Sequence, residues 1–171
     1  MGRSFRSQLA GQVGEHLVVA ELGRRGIIAT TLAGNVPDID ILAYANGASC
    51  HIQVKSWTSG DVSLNASRYL RIEVESGCQR VLGLHEDSDQ SLVYVFVRLG
   101  ERAGLDRFFL MRQIDLQNII RVGYISWLAP HGGIRPRNAD TTHFALRMTE
   151  LEAYEDNWQV IGAALESRNH K

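Results

Sequence analysis

A short segment in the first third of the chain carries acidic, amide and basic side chains at alternating positions. Asp38 and Asp40 stand two residues apart, and so do Gln53 and Lys55. Alternate residues of a β-strand point to the same face, so each pair would present its polar groups together. Carboxylate and amide oxygens are the kind of ligand that Mg²⁺ binds, and Lys55 adds a positive charge beside them. The residue types and their spacing suit a site that holds a divalent cation.

The dipeptide Asn46-Gly47 lies between the two polar pairs and is a strong hairpin signal, because a tight type I′ turn needs positive φ at both central residues. Such a turn pairs Ala45 with Ala48. Counting back along both strands places Asp40 opposite Gln53 and Asp38 opposite Lys55. Opposed Cβ atoms lie about 4.5–5.5 Å apart, which is close enough for two side chains to share one ion. The pattern predicts that the opposite face, made of Ile, Val and Cys, packs in the core.

The elements around this hairpin follow from hydrophobic periodicity and turn residues. A helix is predicted before the hairpin and carries Glu15, and Gly34, Asn35 and Pro37 mark a loop. Asn65 is predicted to cap a helix running through Val74, although Ile72 and Val74 also suit a strand. Thr149 and Glu152 form a capping box that predicts a final helix through Leu165. The other predicted elements are a helix over 8–25, strands over 27–32, 38–45, 48–56, 92–99 and 107–111, a helix over 114–120, and an irregular segment over 130–142.

These residues resemble the PD-(D/E)xK nuclease superfamily. The resemblance consists of Asp40, then Gln53-Val54-Lys55 on the following strand, and Glu15 in the preceding helical string GEHLVVAEL. It implies an α/β fold with a restriction-endonuclease-like core, in which a central mixed β-sheet is flanked by helices in the order αβββαβ. We expect a single domain over residues 1–171, with the motif core in 8–111 and an additional C-terminal region in 112–171.

The resemblance also implies roles for the residues that match the motif. Asp40, Gln53, Glu15 and the Val54 carbonyl would hold Mg²⁺ or Mn²⁺, Lys55 would serve the attacking water, and Asp38 would be auxiliary. Most of the superfamily has a carboxylate where this chain has Gln53. An amide carbonyl is an oxygen ligand without the charge, so metal affinity should fall rather than vanish. The resemblance therefore implies a Mg²⁺-dependent DNA endonuclease, and it leaves open a catalytically inactive module that binds nucleic acid or a protein.

The composition limits how such a protein would meet its substrate. The 171 residues carry a formal net charge of −1, so DNA contact must depend on local patches; Arg135 and Arg137 are candidates, and a solvated loop is their alternative interpretation. Two cysteines and no export leader predict a cytoplasmic protein, and no apolar stretch approaches the ~20 residues of a membrane span. Cutting two strands calls for two sites related by symmetry, which predicts a homodimer. The sequence does not distinguish DNA from RNA.

Overall fold

The computed structural model describes residues 3–32, 38–86 and 91–166. The loop predicted at Gly34, Asn35 and Pro37 lies outside them. The chain divides into two compact units, which we call unit 1 (residues 1–60, 90–113 and 151–171) and unit 2 (residues 61–89 and 114–150). In chain order the elements are α1 (Arg3–Arg24), β1 (Ile28–Thr31), β2 (Ile41–Ala45), β3 (Ala48–Trp57), β4 (Val62–Asn65), β5 (Leu70–Glu75), β6 (Cys78–Leu84), β7 (Val93–Arg98), β8 (Arg107–Arg112), α2 (Gln113–Leu128), β9 (His143–Leu146), α3 (Met148–Leu151) and α4 (Gln159–Glu166). Short 3₁₀ turns lie at Ala66–Arg68, Ala129–His131 and Glu152–Tyr154.

Unit 1 is built on a five-stranded mixed sheet with the strand order β1-β2-β3-β7-β8. Strands β3 and β7 run parallel, and the other neighbouring pairs run antiparallel. Helices α1 and α4 pack on this sheet. The predicted α/β class with a mixed central sheet flanked by helices is confirmed.

The β2–β3 hairpin has the predicted turn and register. Asn46 has φ 50° and Gly47 has φ 84°, as a type I′ turn requires. Ala45 pairs with Ala48, and the pairing continues to Ile41 and Ile52, where it ends. Strand β2 therefore begins at Ile41, and the prediction that it begins at Asp38 is wrong because Asp38 has φ 62° and cannot continue an extended strand.

One face of the sheet forms the core of unit 1 with the two helices. Ile52 and Val54 of β3 pack in a buried cluster with Val18 of α1 and Ile161 of α4. Gln53 and Lys55 alternate with these residues along the strand and so lie on the opposite face. The apolar face thus fixes which side of β3 carries the polar pair, as the hairpin register predicts.

Unit 2 contains two antiparallel strand pairs, β4 with β9 and β5 with β6. The helix predicted from Asn65 through Val74 is wrong: Asn65 caps only the 3₁₀ turn at Ala66–Arg68, and Leu70–Glu75 is a strand. The reason is the tight turn at Ser76 and Gly77, whose φ angles of 51° and 78° pair β5 with β6 as a hairpin. The strand preference of Ile72 and Val74 is the alternative that the structure adopts.

The C-terminal helix predicted from the capping box at Thr149 is also wrong as a continuous element. A single turn, α3, is followed by a 3₁₀ turn and a break at Asp156, which has φ 49°. Helix α4 begins only at Gln159. The backbone N–H of Arg147 donates to Glu150 Oε2 at 2.8 Å, so the cap forms two residues earlier than predicted.

Other predicted elements form with shifted ends. Helix α1 begins before residue 8, and α2 extends to Leu128, well beyond the predicted 114–120. Strands β7 and β8 match the predictions to within one residue. In the parts of the chain that the structure describes, no helix has the length and apolar character to span a membrane.

Candidate functional site

The candidate site begins where β2 separates from β3, at Asp40. Its carboxylate oxygen Oδ2 accepts a hydrogen bond from the side-chain amide of Gln53 and another, of 2.7 Å, from the backbone N–H of Val54. Asp40 and Gln53 therefore lie close together, as predicted, although regular strand pairing ends at Ile41, the residue that follows Asp40 in the chain. The carboxylate accepts the Val54 N–H in place of the strand carbonyl that a continued ladder would supply. This hydrogen bond orients the Asp40 carboxylate toward β3.

The backbone of Asp40 is held from both sides. Its N–H donates to the Ile52 carbonyl at 2.9 Å, and its carbonyl accepts the N–H of Leu32 at 2.9 Å. Asp40 thus links Leu32, which follows β1, to Ile52 of β3. A carboxylate on a pinned backbone is pre-oriented for a ligand, since little movement remains to be lost on binding.

Gln53 is a buried polar side chain, only 6% exposed. Its amide nitrogen donates to Asp40 and, at 3.5 Å, to the carbonyl of Val54. The nitrogen being engaged, the carbonyl oxygen of Gln53 is the atom that remains to accept a donor or contact a cation. Strand β7 lies alongside, with Tyr94 paired to Gln53 and Phe96 paired to Lys55, and both aromatic residues are buried.

Glu15 joins this group from α1. Burial raises the pKa of the half-buried Glu15 carboxyl, and the negative charge of Asp40 raises it further. The charges of His16 and Lys55 act in the opposite direction. Glu15, Asp40 and Lys55 are far apart in the sequence, so their electrostatic interaction means that the fold brings them close together. Sequence reasoning passed over His16, whose only signal is its position next to Glu15.

Asp38 lies in an exposed turn with positive φ, outside the strand. The prediction that strand pairing sets it opposite Lys55 is wrong, because pairing ends at Ile41. Its auxiliary role stays a prediction. Asp40, by contrast, is half-buried and hydrogen-bonded to β3.

The chemistry of these donors fits a hard divalent cation. Among the described residues, both hydrogen bonds that the Asp40 carboxylate accepts end on Oδ2, which leaves Oδ1 as an oxygen for a metal. The Gln53 carbonyl, the Glu15 carboxylate and the Val54 carbonyl are further oxygen groups of the kind that Mg²⁺ prefers. No cluster of three or more His, Cys, Asp or Glu suited to a metal occurs in the described ranges. A metal site here would therefore need oxygen ligands besides carboxylates, and the Gln53 carbonyl is one such candidate.

Arg135 and Arg137 belong to unit 2 and have different environments. The Arg135 guanidinium donates to the His143 carbonyl at 2.8 Å and to the Tyr124 hydroxyl at 3.2 Å, and it lies 4.4 Å from the ring centre of Trp127. Its side chain is half-buried, whereas Arg137 is exposed. Arg135 thus has a packing role within unit 2, and nucleic-acid contact by either residue stays a prediction.

Comparison with known proteins gives a structural relative. The chain is similar to the solved structure of a bacterial homing endonuclease, I-Ssp6803I, with a TM-score of 0.53 and 14% sequence identity over 94% of this chain and 97% of that chain. At this identity the similarity shows a shared nuclease-like fold. No protein-family model and no curated protein sequence matches the chain.

Proposed function

We propose that this chain is a divalent-metal-dependent endonuclease that hydrolyses phosphodiester bonds in DNA, with a site of the PD-(D/E)xK kind. The observation that carries the proposal is the convergence of Glu15, Asp40 and Lys55, with Gln53 hydrogen-bonded to Asp40. The structural relative is a homing endonuclease, which supports a nucleic acid as the substrate class. One fold can host many functions, so the site residues, rather than the fold, indicate the function of this chain.

Asp40, Gln53, Glu15 and the Val54 carbonyl would hold Mg²⁺ or Mn²⁺. When bound, the ion would neutralise charge on the phosphate and favour ionisation of the attacking water. Two of these ligands, Glu15 and Asp40, are carboxylates. The ion would relieve the repulsion between their negative charges, which raises the pKa of Glu15 in the metal-free chain.

The other steps fall to the side chains themselves. Lys55 would lie against the attacked phosphate and stabilise the negative charge that builds up there. The Glu15 carboxylate would also accept a hydrogen bond from the attacking water and orient it toward phosphorus. The water oxygen forms the new bond to phosphorus and its proton passes to solvent, while the bond to the leaving sugar oxygen breaks and that oxygen takes a proton from solvent.

A homodimer would bring two such sites to the two strands of a duplex, because a symmetric pair of subunits presents the same site twice. Since the net charge is −1, contact with DNA would depend on exposed arginines such as Arg137. RNA has the same phosphodiester linkage and belongs in the same assay as an alternative substrate.

One observation favours a second candidate, a nuclease-fold module that binds nucleic acid or a protein without cleaving. The Gln53 amide donates a hydrogen bond to Asp40, so the half-buried carboxylate has a partner without any ion. In that case Gln53 would be a structural replacement for a metal ligand, and the site would hold no metal.

A nicking assay on supercoiled plasmid with Mg²⁺ or Mn²⁺ tests the proposal, run beside calorimetric titration with Mn²⁺. The matched control is Asp40→Asn, which keeps an oxygen acceptor for the Val54 N–H but removes the charged ligand. We expect the wild type to bind Mn²⁺ and nick DNA, and the variant to do neither. A wild type that folds but binds no Mn²⁺ would instead favour the binding module.

A further inference from the structure

Helix α1 and strand β3 approach each other very closely at Gly14 and Ser56. A Cβ atom placed on Gly14 would lie 1.7 Å from Ser56 Oγ and 2.8 Å from Ser56 Cβ. Real Cβ atoms essentially never come within 3.0 Å of another heavy atom. Gly14 is buried in the middle of a helix, where alanine is the better helix former, so the close contact is the physical reason for glycine at this position.

Both residues of this contact adjoin site residues. Gly14 directly precedes Glu15, and Ser56 directly follows Lys55. We propose that Gly14 and Ser56 are positioning residues, whose contact sets the distance of Glu15 from Lys55 and Asp40. The proposal rests on the proposed function for the use made of these three side chains, and on the geometry of α1 against β3 for the positioning itself.

Two observations indicate that residues 14 and 56 are small because of this contact, and not because α1 needs small residues throughout. Gly11 and Gly23, in the same helix, have nothing within 4 Å of an added Cβ. The Ser56 hydroxyl is buried and, among the described residues, has no hydrogen-bond partner. Buried polar groups are normally paired, so the Ser56 side chain is explained by its small size at this contact rather than by a hydrogen bond.

The rest of α1 determines what an added methyl group would move. Val18 and Leu22, later in the helix, are fully buried in the core of unit 1. With that half anchored, a Cβ at position 14 would displace the half of the helix that carries Glu15. A misplacement on the order of 1 Å at a catalytic group can reduce a rate about 100-fold.

The test uses Gly14→Ala with a matched control, Gly11→Ala, in the same helix. Two double variants separate the atoms responsible. Adding Ser56→Gly to Gly14→Ala removes both clashing atoms and leaves Val54 Cγ1 as the nearest neighbour, at an ordinary 3.6 Å. Adding Ser56→Ala leaves the Cβ at 2.8 Å and should not relieve the clash. The readouts are Mn²⁺ affinity by calorimetry, kcat and KM for plasmid nicking, thermal melts, and crystal structures of the metal-free proteins.

We expect Gly14→Ala to lose about 10- to 100-fold in Mn²⁺ affinity and in kcat, with KM little changed. Gly11→Ala should match the wild type in both. The double variant with Ser56→Gly should recover Mn²⁺ affinity and kcat, and the one with Ser56→Ala should not. Wild-type behaviour of Gly14→Ala, or failure of Ser56→Gly to restore it, would overturn the proposal.

Two further outcomes are also decisive. If Gly14→Ala does not fold, the double variant with Ser56→Gly decides alone: recovery of folding and Mn²⁺ affinity supports the positioning, and an unfolded or weakly binding double variant overturns it. If the wild type neither binds Mn²⁺ nor nicks DNA, the proposed function fails separately. The metal-free crystal structures then test the positioning, which requires that Gly14→Ala separate the Glu15 carboxylate from Lys55 Nζ and that Gly11→Ala leave that distance unchanged.

Discussion

Gln53 donates its side-chain amide to Asp40 Oδ2, the same oxygen that accepts the backbone N–H of Val54. One carboxylate oxygen therefore holds two groups of β3, and both of these hydrogen bonds leave Oδ1 unused. The arrangement serves the fold and the site together, because the hydrogen bonds that complete the strand also orient the candidate ligand. Changes at Gln53 and at Asp40 should accordingly affect stability and metal binding in separable ways.

Gln53→Glu should bind Mg²⁺ or Mn²⁺ at least as tightly as the wild type, because it adds a charged ligand at a buried position beside Asp40. Without metal it should be less stable by about 1–3 kcal/mol, since an amide donor is lost and two carboxylates face each other. Melts with and without Mn²⁺ should show a larger metal-induced rise in Tm than the wild type shows. Loss of Mn²⁺ binding with folding intact would argue that Gln53 does not contact the metal.

Asp40→Ala should abolish metal binding and lower the free energy of unfolding by about 1–3 kcal/mol, because the Val54 N–H and the Gln53 amide lose their acceptor. Asp40→Asn should also lose metal binding but remain closer to the wild type in stability, since it keeps a carbonyl oxygen for Val54. Urea unfolding and calorimetry measure the two effects. Equal destabilisation by both variants would mean that the negative charge, rather than the acceptor, stabilises the strand end.

Lys55→Met should retain Mn²⁺ binding and DNA affinity while losing nicking, because it removes the charge that would stabilise the attacked phosphate and leaves Asp40 and Gln53 in place. It should also raise the pKa of Glu15 further, since the charge of Lys55 lowers that pKa in the wild type. Plasmid nicking measures the first effect, and the pH dependence of urea unfolding of the metal-free protein measures the second. If the wild type nicks and Lys55→Met nicks equally well, the proposed active site is wrong.

The free energy of unfolding should depend on pH through the ionisation of Glu15. Its folded-state pKa lies above the ordinary 4.5, so the folded chain binds this proton more tightly than the unfolded chain does. Metal-free protein should therefore lose stability as the pH rises from about 4.5 through the raised pKa. Glu15→Gln should remove this decline, whereas Glu101→Gln, in an exposed turn, should keep it. Urea unfolding from pH 4 to pH 8 checks the result, and an unchanged decline in Glu15→Gln would place its origin in other groups.

The sequence was sufficient for the hairpin of the site, because the Asn46-Gly47 turn and the alternation of β3 are local signals that agree with each other. It was not sufficient for the residues just before β2. Asp38 adopts positive φ, and Asp40 bonds to β3 through its side chain instead of extending the ladder. Such an ending depends on the competition between side-chain and backbone acceptors, which hydrophobic alternation does not record.

In unit 2 the sequence-based prediction was wrong for a different reason. Asn65 is a real cap, as predicted, but the element it caps is one 3₁₀ turn. What decides the fate of Leu70–Glu75 is pairing with Cys78–Leu84 across Ser76-Gly77, a weaker turn signal than Asn46-Gly47. The contact of Gly14 with Ser56 could not be predicted from the sequence either, because the two residues are far apart in the chain. A glycine inside a helical pattern does not indicate which residue packs against it.

Arg135 and Arg137 should contribute differently to DNA binding. Arg137 is exposed, so Arg137→Ala should leave folding intact and reduce the slope of log affinity against log salt by about 1 if the residue contacts a phosphate. Arg135 bonds to the His143 carbonyl and lies over Trp127, so Arg135→Ala should lower the stability of unit 2 by about 1–2 kcal/mol. Fluorescence anisotropy with labelled duplex between 50 and about 200 mM salt measures the slope, and thermal melts measure stability. Arg102→Ala, in an exposed turn of unit 1, is the control for loss of one positive charge. A slope that Arg137→Ala leaves unchanged would place the DNA-binding surface elsewhere on the protein.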